Sequence, residues 1–266
     1  MIFASPMPNE AALVNYNASY FASAHGGAPT SRVGQAFFSA VSRLRLVFLR
    51  RFLDEHQVKV DKILEFGPGP GFFARSWLEA QPRCTYLAVE TDRSCHEVLT
   101  RIGVQLVDGP SAMPVDLVVM SHVLEHVTAP VDFVRTATQM LRPGGALFIE
   151  VPCNDWAHKE LDEPHVLFFD KPSMYKLLTD LGFVDVEMNY YGRKISELQS
   201  TSSVRNKLMA LRYRLINWGL IAPFARVRPG MESLADPLER AMVTPYKAHE
   251  ESFEPAWWLR AVARKA

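Results

Sequence analysis

The sequence predicts an α/β chain built on an open, doubly wound, largely parallel sheet, and three observations carry that expectation. Apolar runs at residues 63–66, 115–120 and 146–151 read as strands buried on both faces. Stretches with helical apolar spacing fall between them. A side-chain-poor turn, Gly67-Pro68-Gly69-Pro70-Gly71, joins the first of these strands directly to a helix, the arrangement by which open α/β sheets bind nucleotides at a strand end. Six strands alternate with helices up to residue 190, connected by right-handed crossovers. A last antiparallel strand, hydrogen-bonded between two others, completes a seven-stranded sheet.

Taken in order, residues 1–34 are rich in small and polar side chains, but Tyr16, Tyr20 and Phe21 argue that this arm packs on something. From Gln35 to His56, Phe37, Val41, Leu44, Val47, Phe48 and Phe52 recur at helical spacing. Arg43, Arg45, Arg50 and Arg51 read as the solvated face of that helix. A helix over 72–80 is closed by Gln81-Pro82, and a β-rich strand over 84–89 ends at Glu90. Asp92 or Ser94 caps a helix to Arg101, 104–107 is a short strand, and Asp108-Gly109-Pro110 turns the chain. The central strand, 115–120, ends in Ser121-His122. Pro130 opens a helix to Leu141, which Arg142-Pro143-Gly144-Gly145 ends before the strand at 146–151. Pro172-Ser173 start another helix, Gly182 stops it, and 183–190 alternates as a strand.

Beyond residue 192 the rhythm breaks. Residues 204–220 read as a helix with Leu208, Leu211, Leu215 and Trp218 on one face, 221–245 are irregular and Pro-rich, and 257–265 read as a last strand or a short helix, the strand preferred because it completes the sheet. The expected organisation is an N-terminal arm and helix over 1–59 that caps the ligand site, a core over 60–191, a helical insertion or lid over 192–250, and a closing strand over 251–266. Tyr213, Trp218, Phe224 and Met231 would serve a lid, a dimer surface in a homodimer, or the packing of a small helical annex.

With 266 residues, 48% of them hydrophobic, the chain can bury one sizeable core. Its 29 basic and 29 acidic residues cancel, which weighs against a nucleic-acid partner, although residues 191–266 are mildly basic with 13 basic against 7 acidic side chains. Cys84, Cys95 and Cys153 are odd in number and lack C-x-x-C spacing, so neither a disulfide framework nor a zinc knuckle is indicated and a cytoplasmic location is expected. The first ten residues lack the pattern of a signal peptide, and no window approaches the roughly 18 apolar residues of a membrane span.

Spacing separates the glycine turn from a dinucleotide fingerprint: Glu65, Gly67, Gly69 and Gly71 give E-x-G-x-G-x-G rather than G-x-G-x-x-G. That turn, the acid Glu90, Ser121-His122-Val123-Leu124-Glu125-His126-Val127, Leu141-Arg142-Pro143-Gly144-Gly145 and His165-Val166-Leu167-Phe168-Phe169 together resemble class I S-adenosylmethionine-dependent methyltransferases of the small-molecule-modifying branch. The resemblance spans about residues 60–190 and the closing strand. It implies a Rossmann-like sheet, S-adenosylmethionine as cofactor, a small-molecule acceptor, and cofactor contacts from Glu65, Gly67, Pro68, Gly69, Gly71, Glu90, Asp108, Ser121 and His122.

Each position has a physical rationale. Glu90, about 20 residues past the glycines, can accept from both ribose hydroxyls, since Asp92 or Ser94 is better placed to cap the next helix. Asp108 would accept from the adenine amino group or serve as a plain turn residue. Glu65 orients the turn and the cofactor's amino group, and the backbone at Ser121 and His122 lines the methionine moiety. Methyl transfer asks the protein for alignment, a dry site and, for an oxygen acceptor, a base. His165, then His122 and His126, are the candidates, which places O-methylation ahead of N-methylation.

His122-x-x-Glu125-His126 with a later His165 also resembles the metal-binding pattern of small-RNA 3′-end methyltransferases, E-x-x-E-H plus His, with His122 where that family carries glutamate. Whether these residues hold a metal is left open; the donor set would favour zinc or iron over magnesium. The same string mimics a zinc-peptidase motif, but it follows a strand with Pro130 close behind instead of lying within a long helix. The D/N-P-P-Y tetrapeptide that marks nucleobase amino-methyltransferases is missing after the central strand. Two other readings stay open: a metal-dependent RNA 3′-end methyltransferase, and a cofactor-binding module without catalysis.

Overall fold

The structure, a computed structural model, describes residues 1–19, 32–109, 114–154, 165–198, 207, 210–211, 214–220 and 251–266. Tyr20, Phe21, Tyr213, Phe224 and Met231 lie outside the described residues, as does most of the 192–250 stretch.

The chain opens with a two-residue strand β1 (Ile2–Phe3), helix α1 (Glu10–Asn17) and the long helix α2 (Arg32–Glu55). A βαβ unit follows: β2 (Lys62–Phe66), α3 (Phe72–Ala80) and β3 (Thr85–Val89). Helix α4 (His96–Arg101) and the short β4 (Gln105–Leu106) lead to the central strand β5 (Val115–Ser121). Next come α5 (Pro130–Gln139), β6 (Leu141–Pro152), the two-residue β7 (Leu167–Phe168), which pairs with β1, and α6 (Lys171–Asp180). Strand β8 (Phe183–Lys194), the single turn α7 (Ile195–Leu198), β9 (Glu251–Ser252) and β10 (Ala256–Lys265) complete it.

The sheet order is β4-β3-β2-β5-β6-β10-β8-β9. The first five strands are parallel; β10 runs antiparallel between β6 and β8, the insertion the sequence predicts. An eighth strand beyond the seven expected is the two-residue β9, which pairs with Tyr190 and Tyr191 on the outer edge of β8.

Alternation along β5 explains why its run is apolar throughout. Leu117 and Val119 join the layer under α2 and α3 with Leu49, Phe52, Trp77 and Phe148. Val118 and Met120 join the opposite layer with Val134, Ile149 and Leu178 from α5, β6 and α6. Each such side chain stabilises by about 1.5–3 kcal/mol, so the two layers together hold the sheet ends in place. Local signals agree with the ends of elements: Asp170 caps α6 by accepting from the Ser173 amide at 2.8 Å, and Pro172 occupies its first turn.

Two expectations change. The turn expected at 142–145 lies within β6 as a bulge, because Val115 pairs with Leu141 while Leu117 pairs with Ala146. The arginine face of α2 is only partly solvated: Arg43 and Arg51 are exposed, but Arg45 turns inward onto Glu150. The C-terminal ends of β2, β3, β5 and β6 now lie along one edge, bringing Gly67, Glu90, Ser121 and Pro152 to a common cavity.

Candidate active site

The cavity has a volume of about 460 Å³, within the range for a drug-sized ligand. Its floor at the end of β2 is the glycine turn, where Gly67 and Gly71 have φ of 63° and 75°. A Cβ on Gly67 would lie 3.1 Å from Val123, and one on Gly71 2.8 Å from the side-chain ends of Leu99 and Ile102, so conformation disfavours side chains here and any added Cβ would have to push neighbours aside. Gly67, Pro68 and Gly69 form the wall, and Gly71 sits one step behind it as the N-cap of α3.

Glu90 lines the cavity with its carboxylate tied to the turn: the Gly69 amide donates to Oε2 and the Asp92 amide to Oε1, both at 2.8 Å. Burial raises its pKa, against the pull of those two amides. Asp92, a residue that sequence spacing assigns only to a helix cap, also lines the cavity while capping a 3₁₀ turn through the Ser94 amide at 2.9 Å. Asp108 is exposed and does not line the cavity.

Glu65 is 2% exposed and accepts from the Tyr86 hydroxyl at 2.7 Å. Burial pushes its pKa up to about 7, and the Tyr86 bond only partly offsets this. The folded state therefore holds a proton more tightly than the unfolded chain, so this contribution to stability is complete below the ordinary carboxylate pKa and is lost as pH rises through about 7. Glu65→Gln, which mimics the protonated acid, should gain on the wild type by roughly one to a few kcal/mol between about pH 5 and about pH 8 in urea unfolding. A gap independent of pH would mean that Glu65 is not held protonated.

At the ends of β5 and β6 lies a buried ion cluster. Glu150, fully buried, accepts through Oε1 from Arg45 Nε at 2.7 Å and Arg45 Nη2, and through Oε2 from Arg260 Nε. His122 bridges two carboxylates, with Nε2 3.2 Å from Glu150 Oε1 and Nδ1 3.1 Å from Glu125 Oε1. Burial works against a charge on the ring, but with both nitrogens facing carboxylates the two acids outweigh it and raise the pKa, favouring the imidazolium. The bridge comes with a backbone in the left-handed region, φ 57° at His122.

Glu125 is fully buried, and its Oε2 has no hydrogen-bond partner among the described residues. On its far side His126 and His165 meet edge to face, ring centroids 5.0 Å apart, both lining the cavity. Glu125, His126 and His165 offer donor atoms within 4.8 Å of one another, an arrangement able to hold a divalent ion; His122, the fourth residue of the sequence pattern, is bound to Glu150 instead. Ser121 lines the same wall, and its Oγ is buried with no hydrogen-bond partner among the described residues.

The predicted cofactor and base residues therefore line one cavity, apart from Gly71, one step behind the wall, and the exposed Asp108; the motif at 141–145 lies at the opposite end of β6. Arg45, Asp92, Glu150, Arg260 and the aromatic pair Trp257 and Trp258 were not singled out, although lone charges in apolar strands at Glu150 and Arg260 were a signal.

A model of a methyltransferase domain family matches residues 38–188. No curated protein matches the chain. Among solved structures, a SAM-dependent methyltransferase from Archaeoglobus fulgidus superposes with a TM-score of 0.52 at 15% identity, over 84% of this chain and 94% of that one. The plantazolicin methyltransferase BpumL in complex with SAH gives 0.54 at 13% identity, over 96% and 94%. A possible histamine N-methyltransferase from Thermotoga maritima gives 0.50 at 15% identity, over 88% and 98%. At such identities the likeness is one of fold.

Proposed function

The chain belongs to the methyltransferase domain family and is an S-adenosylmethionine-dependent methyltransferase, and from that premise we propose that it methylates an oxygen of a small molecule with His165 as the base. The observation that carries the reading is the placement of His165 and His126 on the wall of the cavity that the glycine turn also lines, beside a buried carboxylate.

The residues fit the cofactor. Gly67 leaves a cradle that a Cβ would crowd, Ser121 keeps a buried hydroxyl without a protein partner among the described residues, and Glu90 stands at the adjacent strand end. We assign Gly67, Pro68 and Gly69 to close backbone approach, Glu90 to the ribose hydroxyls, and Ser121 and the His122 backbone to the methionine moiety. Glu65 orients the turn. Asp108, exposed at its turn, is supported least.

When bound, the cofactor supplies a methyl group activated on a sulfonium. This chain's residues align the acceptor, exclude water and take its proton. Asn17, Phe37 and Phe38 line the cavity from the N-terminal segment, which supports a cap over 1–59. His165 receives the hydroxyl proton, and the Glu125 carboxylate offsets the resulting positive charge. His122 holds the loop between its two carboxylates; with both nitrogens engaged it is a positioning residue in this reading.

Glu90→Ala should weaken binding of S-adenosylhomocysteine roughly 10- to 100-fold by calorimetry, the worth of hydrogen bonds to a charged group. Unchanged affinity would remove Glu90 from the ribose site. The acceptor atom is tested separately, by locating the added methyl in product fragments; transfer to nitrogen alone would overturn O-methylation.

One observation favours a second reading. The Glu125, His126 and His165 cluster could hold a divalent ion, making acceptor activation metal-dependent, as on an RNA end. Balanced charge over the whole chain weighs against the RNA acceptor.

A further inference from the structure

We propose that the acceptor end of the cavity is a slot for a flat aromatic hydroxy compound, and that Trp257 sets this preference. The inference deepens the methyltransferase reading and rests on it.

Successive side chains of a strand point to opposite faces, so two neighbours should not share one wall. Trp257 and Trp258 both line the cavity, with stacked rings 5.8 Å apart at 28°. The sheet is irregular beside this pair: three steps of β8, from Lys194 to Tyr191, face two of β10, from Ala256 to Trp258, so the extra residue lies on β8 and the two tryptophans sit where β10 first joins the sheet. Trp258 is 5% exposed and packs with Val41 and Leu44 of α2, while Trp257 is only half-buried.

The adjoining wall is also aromatic, with Phe37 packed against the same Val41, Leu44 and Trp258 cluster as Trp257. Phe38 of α2 stacks on Phe72 at 5.5 Å and 21°, and Phe37 meets Phe38 edge to face at 5.4 Å. Flat faces favour flat ligands through offset stacking and burial of apolar area.

Charge narrows the class further. Of the charged residues among the described lining, Glu65, Glu90 and Asp92 stand at the glycine turn and the end of β3, Arg45 is committed to Glu150, and His122 is committed to Glu125 and Glu150. The aromatic end thus presents no cation suited to a phosphate and no carboxylate suited to an ammonium group. His126 and His165, which line the same cavity, suit a hydroxyl on the ring.

The test uses the full chain saturated with S-adenosylhomocysteine, titrated by calorimetry with 2-naphthol and with decahydro-2-naphthol, which keeps the skeleton and hydroxyl but loses the flat π face. We expect 2-naphthol to bind at least about tenfold more tightly. Trp257→Ala and Trp257→Leu should abolish that preference, and Trp257→Phe should keep most of it. Affinity for S-adenosylhomocysteine should stay within about twofold in all three, which certifies folding and an intact cofactor end. Equal affinity for the two probes, or a preference that survives Trp257→Ala, overturns the slot. Failure of the wild type to bind S-adenosylhomocysteine would instead overturn the reading beneath it.

Discussion

Glu150→Ala is expected to lower the unfolding free energy by about 3–5 kcal/mol, the cost of leaving buried charges without their partner. The carboxylate is fully buried and serves three cationic side chains from three parts of the chain: Arg45 of α2, His122 after β5, and Arg260 of β10, itself 1% exposed. Arg260 cannot turn to solvent, so its charge loses compensation in place. Burial alone would raise the Glu150 pKa, but the fields of Arg45 and Arg260 outweigh it and hold it well below the usual carboxylate range. A depressed folded-state pKa contributes stability that is present above the unfolded value and lost as pH falls through the folded one. The wild type should therefore lose this contribution in acid, and the gap to Glu150→Ala, measured by urea unfolding, should narrow below about pH 4. Replacing Glu150, Arg45 and Arg260 together with apolar residues should recover most of the loss, because the pair's desolvation cost disappears with the charges. A loss under about 1 kcal/mol for Glu150→Ala would mean that water reaches the cluster.

That cluster also marks where sequence reading ends. The βαβ unit and the glycine turn are legible because they follow from local pattern, apolar runs and turn residues at fixed offsets. The last strand is expected only as antiparallel between two others, and the structure identifies these as β6 and β8. Arg45 was assigned to a solvated face with its neighbouring arginines, yet it lies four residues after Val41 and three before Phe48, inside the apolar stripe of α2. A charge in that stripe has to meet an opposite charge in the core, and Glu150, a lone acid within the apolar run of β6, is that partner. Neither residue alone says which charge it meets, because 105 positions separate them. Trp257 is illegible for a related reason: alternation sends it away from Trp258, and nothing local in the sequence says that both line one cavity. For Asp108 a turn signal and a ligand signal coincide in sequence, and exposure at the turn favours the former.

The histidines were legible as a set but not as individuals, and His165→Ala separates their roles. With an aromatic hydroxy acceptor, removal of a general base should lower kcat by about 10²- to 10⁴-fold. Affinity for S-adenosylhomocysteine should stay unchanged, because His165 comes from the segment before β7 while the glycine turn, Glu90 and Ser121 lie elsewhere on the wall. Glu125→Gln should also lower kcat while leaving that affinity unchanged, since the carboxylate would no longer offset the charge formed on the ring. The metal reading predicts a different pattern for the same variants. Each of Glu125→Gln, His126→Ala and His165→Ala would then reduce the divalent ion that elemental analysis finds in the purified protein, and a chelator would silence the wild type. Activity that resists the chelator together with a collapse of kcat in His165→Ala supports the base. An unchanged rate in His165→Ala removes it from the chemistry, and the two imidazoles beside Glu125 would then be packing for the loop that His122 pins from the other side.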